Sequence, residues 1–219
     1  MEKRAIIFGD YDTAAHGWTL TSWVLSPAEE KTTYVEKIGG DGSWDLSTAL
    51  TDGIPTFRDR TLTVTLELSE GDRQSRERTI KEFINTLHGR RMDIHLPDDP
   101  YDHLSGRLSV NRDYNDLAHA AVTVTAVCDP WKYLNHEINA TVTATTAGQE
   151  AELLNEGIRV LVPVLTVTGS VTIIFGTASK AFSAGTYKWG DLLLVPGINE
   201  LVVKGSGSVK FTYREAVLE

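Results

Sequence analysis

Between Thr61 and Leu68 every second residue is apolar: Leu62, Val64, Leu66 and Leu68 alternate with Thr61, Thr63, Thr65 and Glu67. A chain can lay those four apolar groups on one face only when it is extended, so this stretch predicts a half-buried β-strand and commits its surroundings to a sheet. Similar alternation occurs at Met92 to Leu96 and at Leu104 to Val110. With the β-branched runs at Trp18 to Leu25, Thr32 to Ile38 and Ala120 to Val127, it predicts a first half that is mostly sheet.

One segment breaks the pattern. From Gln74 to His88, Ile80, Phe83, Ile84 and Leu87 recur at helical spacing while Arg76, Glu77, Arg78, Lys81 and Glu82 fill the other positions, which predicts a single amphipathic helix. Ser69-Glu70-Gly71-Asp72 supplies capping-box spacing before it, and Gly89 a left-handed stop after it. At Cys128-Asp129-Pro130-Trp131 the strand pattern is expected to stop, because proline has no N–H for a ladder and restricts the residue before it.

A domain boundary is therefore expected shortly afterwards, giving domains of 1–134 and 135–219. From Glu137 onward the composition shifts to Thr, Val, Ala and Gly, with short apolar runs at Val160 to Val167, Val171 to Phe175, Leu192 to Val195 and Leu201 to Lys204. Pro196-Gly197 suits a tight turn. Gly205-Ser206-Gly207 lies between Leu201-Val202-Val203 and the alternating Val209, Phe211 and Tyr213, as a hairpin requires. The expected fold is mainly β in two domains: a β-rich split-barrel or sandwich-like N-terminal domain carrying one α-helix, then a C-terminal β-sandwich.

Charge and cysteine usage limit the chemistry. Against 30 acidic residues stand 21 Lys and Arg, a net charge of −9, and the basic residues are scattered, so no sequence-specific nucleic-acid contact is expected. The single Cys128 has no intrachain partner, and Met1-Glu2-Lys3-Arg4-Ala5 leads into too few apolar residues for a signal peptide. Synthesis in a reducing cytoplasm is the expectation. The uncharged stretch Val160 to Ser179 is broken by Pro163, Gly169, Ser170 and Gly176, so no membrane insertion is expected.

Several clusters resemble sites in composition alone. Pro97-Asp98-Asp99-Pro100-Tyr101-Asp102-His103 offers carboxylates and an imidazole, but Asp and Pro between two strands are turn residues first. Those carboxylates, or Asp41 with Asp45, have the chemistry of a glycosidase pair and are read instead as solvated surface. Gly39-Gly40-Asp41-Gly42 continues into no phosphate-binding pattern and reads as a turn. Cys128 has no assignable base among His16, His88, His95, His103, His119 and His136, so it reads as a small buried hydrophobe. GxSxG and HExxH motifs are absent. Trp131, Trp189, Tyr187 and Tyr213 suit either sugar stacking or core anchoring, and core anchoring is favoured. Asn139-Ala140-Thr141 matches a glycosylation sequon that carries little meaning without secretion. No catalytic, metal or cofactor-binding residue is assigned, and the chain is expected not to be an enzyme.

Four stretches in order resemble the distal tail protein family of long-tailed, non-contractile bacteriophages. These are Ile38-Gly39-Gly40-Asp41-Gly42-Ser43-Trp44-Asp45-Leu46-Ser47 and Phe57-Arg58-Asp59-Arg60-Thr61-Leu62-Thr63-Val64. After them come the helix end Leu87-His88-Gly89, with Met92 to Leu96, Asp98-Asp99-Pro100, Tyr101 and Gly106-Arg107, and then Val127-Cys128-Asp129-Pro130-Trp131. Together they span about Ile6 to Trp131.

The resemblance implies a structural hub without cofactor. It would be a homo-hexameric ring at the virion tail tip, joining the tail tube protein to a tail-associated tip or baseplate protein. It also implies that the N-terminal domain forms the ring around a central channel and that the C-terminal domain is a galectin-like sandwich pointing outward. Under that reading Gly40, Asp41, Trp44, Arg60, Phe83 and Leu87 are the candidate interface residues, from the glycine-rich loop, the strand after Arg60 and the helix. The alternative is a carbohydrate-binding, host-attachment protein working through the C-terminal sandwich. The polar signature by which galectins hold galactosides is missing, and Trp189-Gly190-Asp191 does not replace it.

Overall fold

The computed structural model describes residues 5–51, 53–68, 71–97, 99–112 and 120–219. Expectations resting on Met1 to Arg4, Ser69, Glu70, Asp98 and His119 lie outside the described residues. The chain divides into two compact units, Met1–Lys132 and Tyr133–Glu219, where the sequence reading put the division after residue 134.

The first unit contains β1 (Ile7–Phe8), β2 (Tyr11–Asp12), β3 (Thr19–Leu25), β4 (Tyr34–Glu36), β5 (Ser43–Asp45) and β6 (Arg60–Leu68). Then come α1 (Arg73–Leu87), β7 (Arg91–His95), β8 (Asp102–Arg112) and most of β9 (Ala120–Leu134). Its main sheet has the order β2-β1-β7-β8-β9-β6-β3. In β6 the alternation works as expected: Leu62, Val64, Leu66 and Leu68 are buried, and Leu66 pairs with Val122 and Val64 with Val124 of β9.

Helix α1 seals this core. Asp72 is its N-cap, its carboxylate accepting from the Ser75 N–H at 2.7 Å, which offsets one of the orphan donors of the first turn. Ile80, Phe83 and Leu87 are buried. The Phe83 ring stands 4.6 Å from Trp18, 5.3 Å from Tyr11 and 6.4 Å from Phe8. Trp18 donates its indole N–H to the Tyr11 hydroxyl at 3.1 Å. Burial pushes the Tyr11 pKa up, against the lowering effect of that hydrogen bond.

Two local expectations are corrected here. Of the run Thr32 to Ile38 only Tyr34–Glu36 is strand. The strand pattern also does not stop at Cys128, because β9 continues through Pro130 to Leu134. Proline is tolerated there because the register with β6 ends at Cys128, opposite Arg60, so that ladder asks nothing of the missing N–H.

The second unit holds β10 (Ile138–Ala144), β11 (Gln149–Asn155), β12 (Val164–Phe175), β13 (Ala178–Lys188), β14 (Gly197–Tyr213) and β15 (Ala216–Val217). Its five-stranded sheet has the order β10-β14-β12-β13, with β11 also on β14. The expected hairpin at Gly205-Ser206-Gly207 is not a hairpin but the bend of one 17-residue strand. Residues Gly197–Val203 of β14 pair with β11 and Gly207–Tyr213 pair with β10. At the bend, Gly207 pairs with Gly169 and Gly205 with Val171 of β12.

All three glycines there have positive φ: 78° at Gly169, 124° at Gly205 and 139° at Gly207. A Cβ on Gly207 would run into the Thr168 carbonyl, and one on Gly205 into the Ser170 carbonyl. The backbones approach closely enough for the sheet to fold over on itself, which only glycine permits. The two expected runs Val160 to Val167 and Val171 to Phe175 contribute to the same strand, β12, for the same reason. Folding the sheet in two makes a sandwich of two layers around Leu165, Val167, Val171, Ile173, Phe182, Leu201, Val203, Val209 and Phe211. Among the described residues no helix is long and apolar enough to cross a membrane.

Candidate assembly surfaces

Between β3 and β6 the chain leaves the main sheet. Its two legs run antiparallel: Ser26 donates to Thr61 at 2.9 Å, Arg58 to Glu29 at 2.8 Å and Lys31 to Thr56 at 2.8 Å, with Glu30 opposite Phe57. The legs lead to the hairpin β4–β5, in which Tyr34 faces Asp45, Val35 faces Trp44 and Glu36 faces Ser43. Gly39 and Gly42, at φ 74° and 75°, turn the chain at its tip, so the glycine-rich segment is the turn its composition suggested. The Asp45 carboxylate accepts from the Ser47 N–H at 2.9 Å and from its hydroxyl at 2.5 Å, and these bonds hold its pKa below the usual carboxylate range.

Every residue of β4 and β5 is exposed, including Tyr34, Val35 and Trp44, the last at 56%. Ile38 and Leu50 are fully exposed, and Leu46 is exposed as well. A lone two-stranded hairpin is marginal in water, and this one shows an aromatic and aliphatic surface that nothing in the chain covers among the described residues. Gly40, Asp41 and Trp44 are all exposed on it.

The other three candidate interface residues lie elsewhere, and the expectation for them is corrected. Phe83 and Leu87 have no exposed surface, because they are the buried stripe of α1. Arg60 is 1% exposed, and its Nε donates to the Ser26 carbonyl at 2.7 Å. A side chain sealed inside its own subunit offers nothing to a neighbour. Arg60 instead pins the root of the hairpin's first leg to β6, and Phe57 packs edge-on against Trp131 at 5.4 Å beside it. Tyr34, Val35 and Leu50, with Ile38 from the resembling stretch, are exposed apolar residues here that are not among the six candidates. Their signal was an apolar-aromatic pair of strands flanking Gly39-Gly40-Asp41-Gly42, outside the alternation of the main sheet.

The remaining clusters are structural. Asp99 holds Lys132 at 2.8 Å in the turn between β7 and β8. The His95 and His103 rings meet across those strands at a 39° tilt, with centroids 5.4 Å apart, and His103 lies 3.8 Å from the Asp93 carboxylate. No group of three or more His, Cys, Asp or Glu gathers as a metal site among the described residues. The Cys128 thiol is buried against Gly106, and burial pushes its pKa up to about 11, so it is no nucleophile near neutral pH. Trp189, at 3% exposure, and Tyr213, at 6%, are core residues of the sandwich. The aromatic platform needed for sugar stacking therefore lacks two of its four rings.

No protein-family model matches the chain, and no curated protein matches it. Among solved structures, the Dit protein (gp 19.1) of phage SPP1 is similar, with a TM-score of 0.69 and 17% identity over 96% of this chain and 98% of that one. That protein is described as a paradigm of the hub adsorption apparatus in phages infecting Gram-positive hosts. At this identity the likeness speaks for architecture, and nearly end to end in both chains, this chain has the fold of the SPP1 Dit protein.

Proposed function

We propose that this chain is a structural, non-enzymatic subunit of a phage tail tip. Six copies form a ring that joins the tail tube protein to a tail-associated tip or baseplate protein. The observation that carries this reading is the hairpin β4–β5, an extension whose apolar side chains have no cover in their own chain. A neighbouring copy supplies the cover, with Gly40, Asp41 and Trp44 at the contact and Arg60 holding its root. One patch meeting a different patch on the next subunit is a heterologous contact, which closes into a ring when its rotation divides the circle. The shared fold with a phage hub protein supports the same reading.

The test is the solution mass of the full chain by light scattering, with negative-stain imaging of the same sample. A ring has six times the 24.1 kDa of one chain. Trp44→Ser combined with Val35→Ser is expected to lower that mass toward one subunit without moving the unfolding temperature. A mass unchanged by both substitutions would remove the hairpin from the assembly.

A further inference from the structure

The two outer faces of the C-terminal sandwich carry opposite charge. On the layer made by β11 and the first half of β14, buried Leu153, Leu201 and Val203 alternate with outward residues. The outward set includes Glu150, Glu152 and Glu200, with Leu154, Ile198 and Val202 among them. Register places Glu152 directly opposite Glu200, and Leu154 opposite Ile198. Like charges facing across a ladder are unfavourable, and none of these three carboxylates has an ion-pair partner among the described residues. They border a shallow depression of ≈ 630 Å³ floored by Ala151, Ile174 and Val202. Lys204, facing Thr172, is at the bend end of this face, and Lys180 leans over the Phe182 ring at its far edge.

The other layer is the reverse. Its outward positions include Asn139, Thr141 and Thr143 on β10, Ser208, Lys210 and Thr212 on β14, Val164, Thr166 and Thr168 on β12, and Thr186 and Lys188 on β13. Lys210 stands between Thr141 and Thr166, and Lys188 faces Val164. The half-strands of this layer carry no carboxylate; Glu137, just before β10, lines a depression shared with Lys188 and pairs with Arg214 at 3.5 Å, and neither lysine has an ion-pair partner among the described residues. The lysine stems rise from a flat field of threonine methyls and hydroxyls, with cationic ends free to enter a depression lined by glutamates.

We propose that these faces are a complementary pair: the acidic face of one copy receives the basic, threonine-rich face of the next. Charge complementarity names a second copy as the occupant, since each face is the match of the other. Face-to-opposite-face association is heterologous, and it closes into a ring where its rotation divides the circle. The inference takes the presence of neighbouring copies from the ring reading but uses a contact separate from the hairpin.

The experiment is charge-swap mixing of the full-length protein, read by sedimentation at salt of about 20 mM and about 500 mM. One variant is Glu150→Lys/Glu152→Lys/Glu200→Lys, with both faces basic. The other is Lys188→Glu/Lys210→Glu, with both faces acidic. Each alone is expected to associate about tenfold more weakly than the wild type at low salt, and their equimolar mixture to regain that loss. High salt should abolish the regain. A mixture no stronger than its components, or variants that associate like the wild type, overturns the proposal.

Repeating the mixing in the Trp44→Ser background separates this contact from the hairpin. If Trp44→Ser dissolves the rings while mixing has no effect, the ring reading stands and the face pairing falls. If mixing restores association while Trp44→Ser changes nothing, the hairpin contact falls instead. Should the triple reversal fail to fold, Glu152→Gln/Glu200→Gln serves, and wild-type salt sensitivity in that variant counts against the proposal.

Discussion

Gly207 has a φ of 139°, and a Cβ there would meet the Thr168 carbonyl of the neighbouring strand. Gly207→Ala therefore combines a disfavoured backbone with a backbone clash, and is expected to cost the second unit at least about 2 kcal/mol, measured by denaturant unfolding. Gly176→Ala is the control, since its φ is also positive but nothing lies within contact of a Cβ there. A second residue-scale expectation concerns His95, whose pKa is lowered, first by burial and then by the facing His103, while Asp93 pulls it upward. Unfolded, His95 takes its proton near pH ~6.5, whereas folded it waits for a lower pH. In that window the unfolded state holds more protons, so stability is full above about pH 6.5 and falls as the pH drops through it. The unfolding temperature should decline from about pH 7.5 to about pH 5.5, and His95→Asn should flatten that decline. An unchanged slope in the variant would assign the dependence to other groups.

Among the elements, α1 decides whether the first unit keeps its core. Phe83→Ala removes a ring packed against Phe8, Tyr11 and Trp18 and is expected to cost about 3–5 kcal/mol, while Glu82→Ala on the exposed side should stay within about 0.5 kcal/mol. If Phe83 were an assembly contact, its loss would lower the mass and leave the unfolding of the subunit untouched. This helix and β6 were legible in the sequence because each buries one clean face, so periodicity and packing say the same thing. Other elements were not. β13 buries only Phe182, leaving no alternation to see. In β12 and β14 the glycines that usually mark turns mark instead a fold in continuous strands, and a single sequence does not distinguish the two until the partner backbone is in place. The hairpin was legible as a turn at Gly39 to Gly42, but its exposure was not, since period and propensity carry no information about what lies opposite a strand. The same blindness placed Phe83, Leu87 and Arg60 on an interface when they are interior.

At the scale of the molecule, two separate sets of buried side chains exist, one around Leu62, Val64, Leu66 and Phe83 and the other around Leu165, Val203, Val209 and Phe211. Each unit thus has a core able to support its own cooperative unfolding, and a chain of this kind need not melt in one step. Differential calorimetry of the full chain under conditions that keep it monomeric is expected to show two transitions. Leu66→Ala should lower one of them and Phe211→Ala the other, each by several degrees, since a buried truncation of about 2–5 kcal/mol acts on a unit of modest size. If each substitution lowers both transitions equally, the units share their stability and must unfold together. If each moves its own, assembly contacts on one unit can loosen or tighten without the other's core answering.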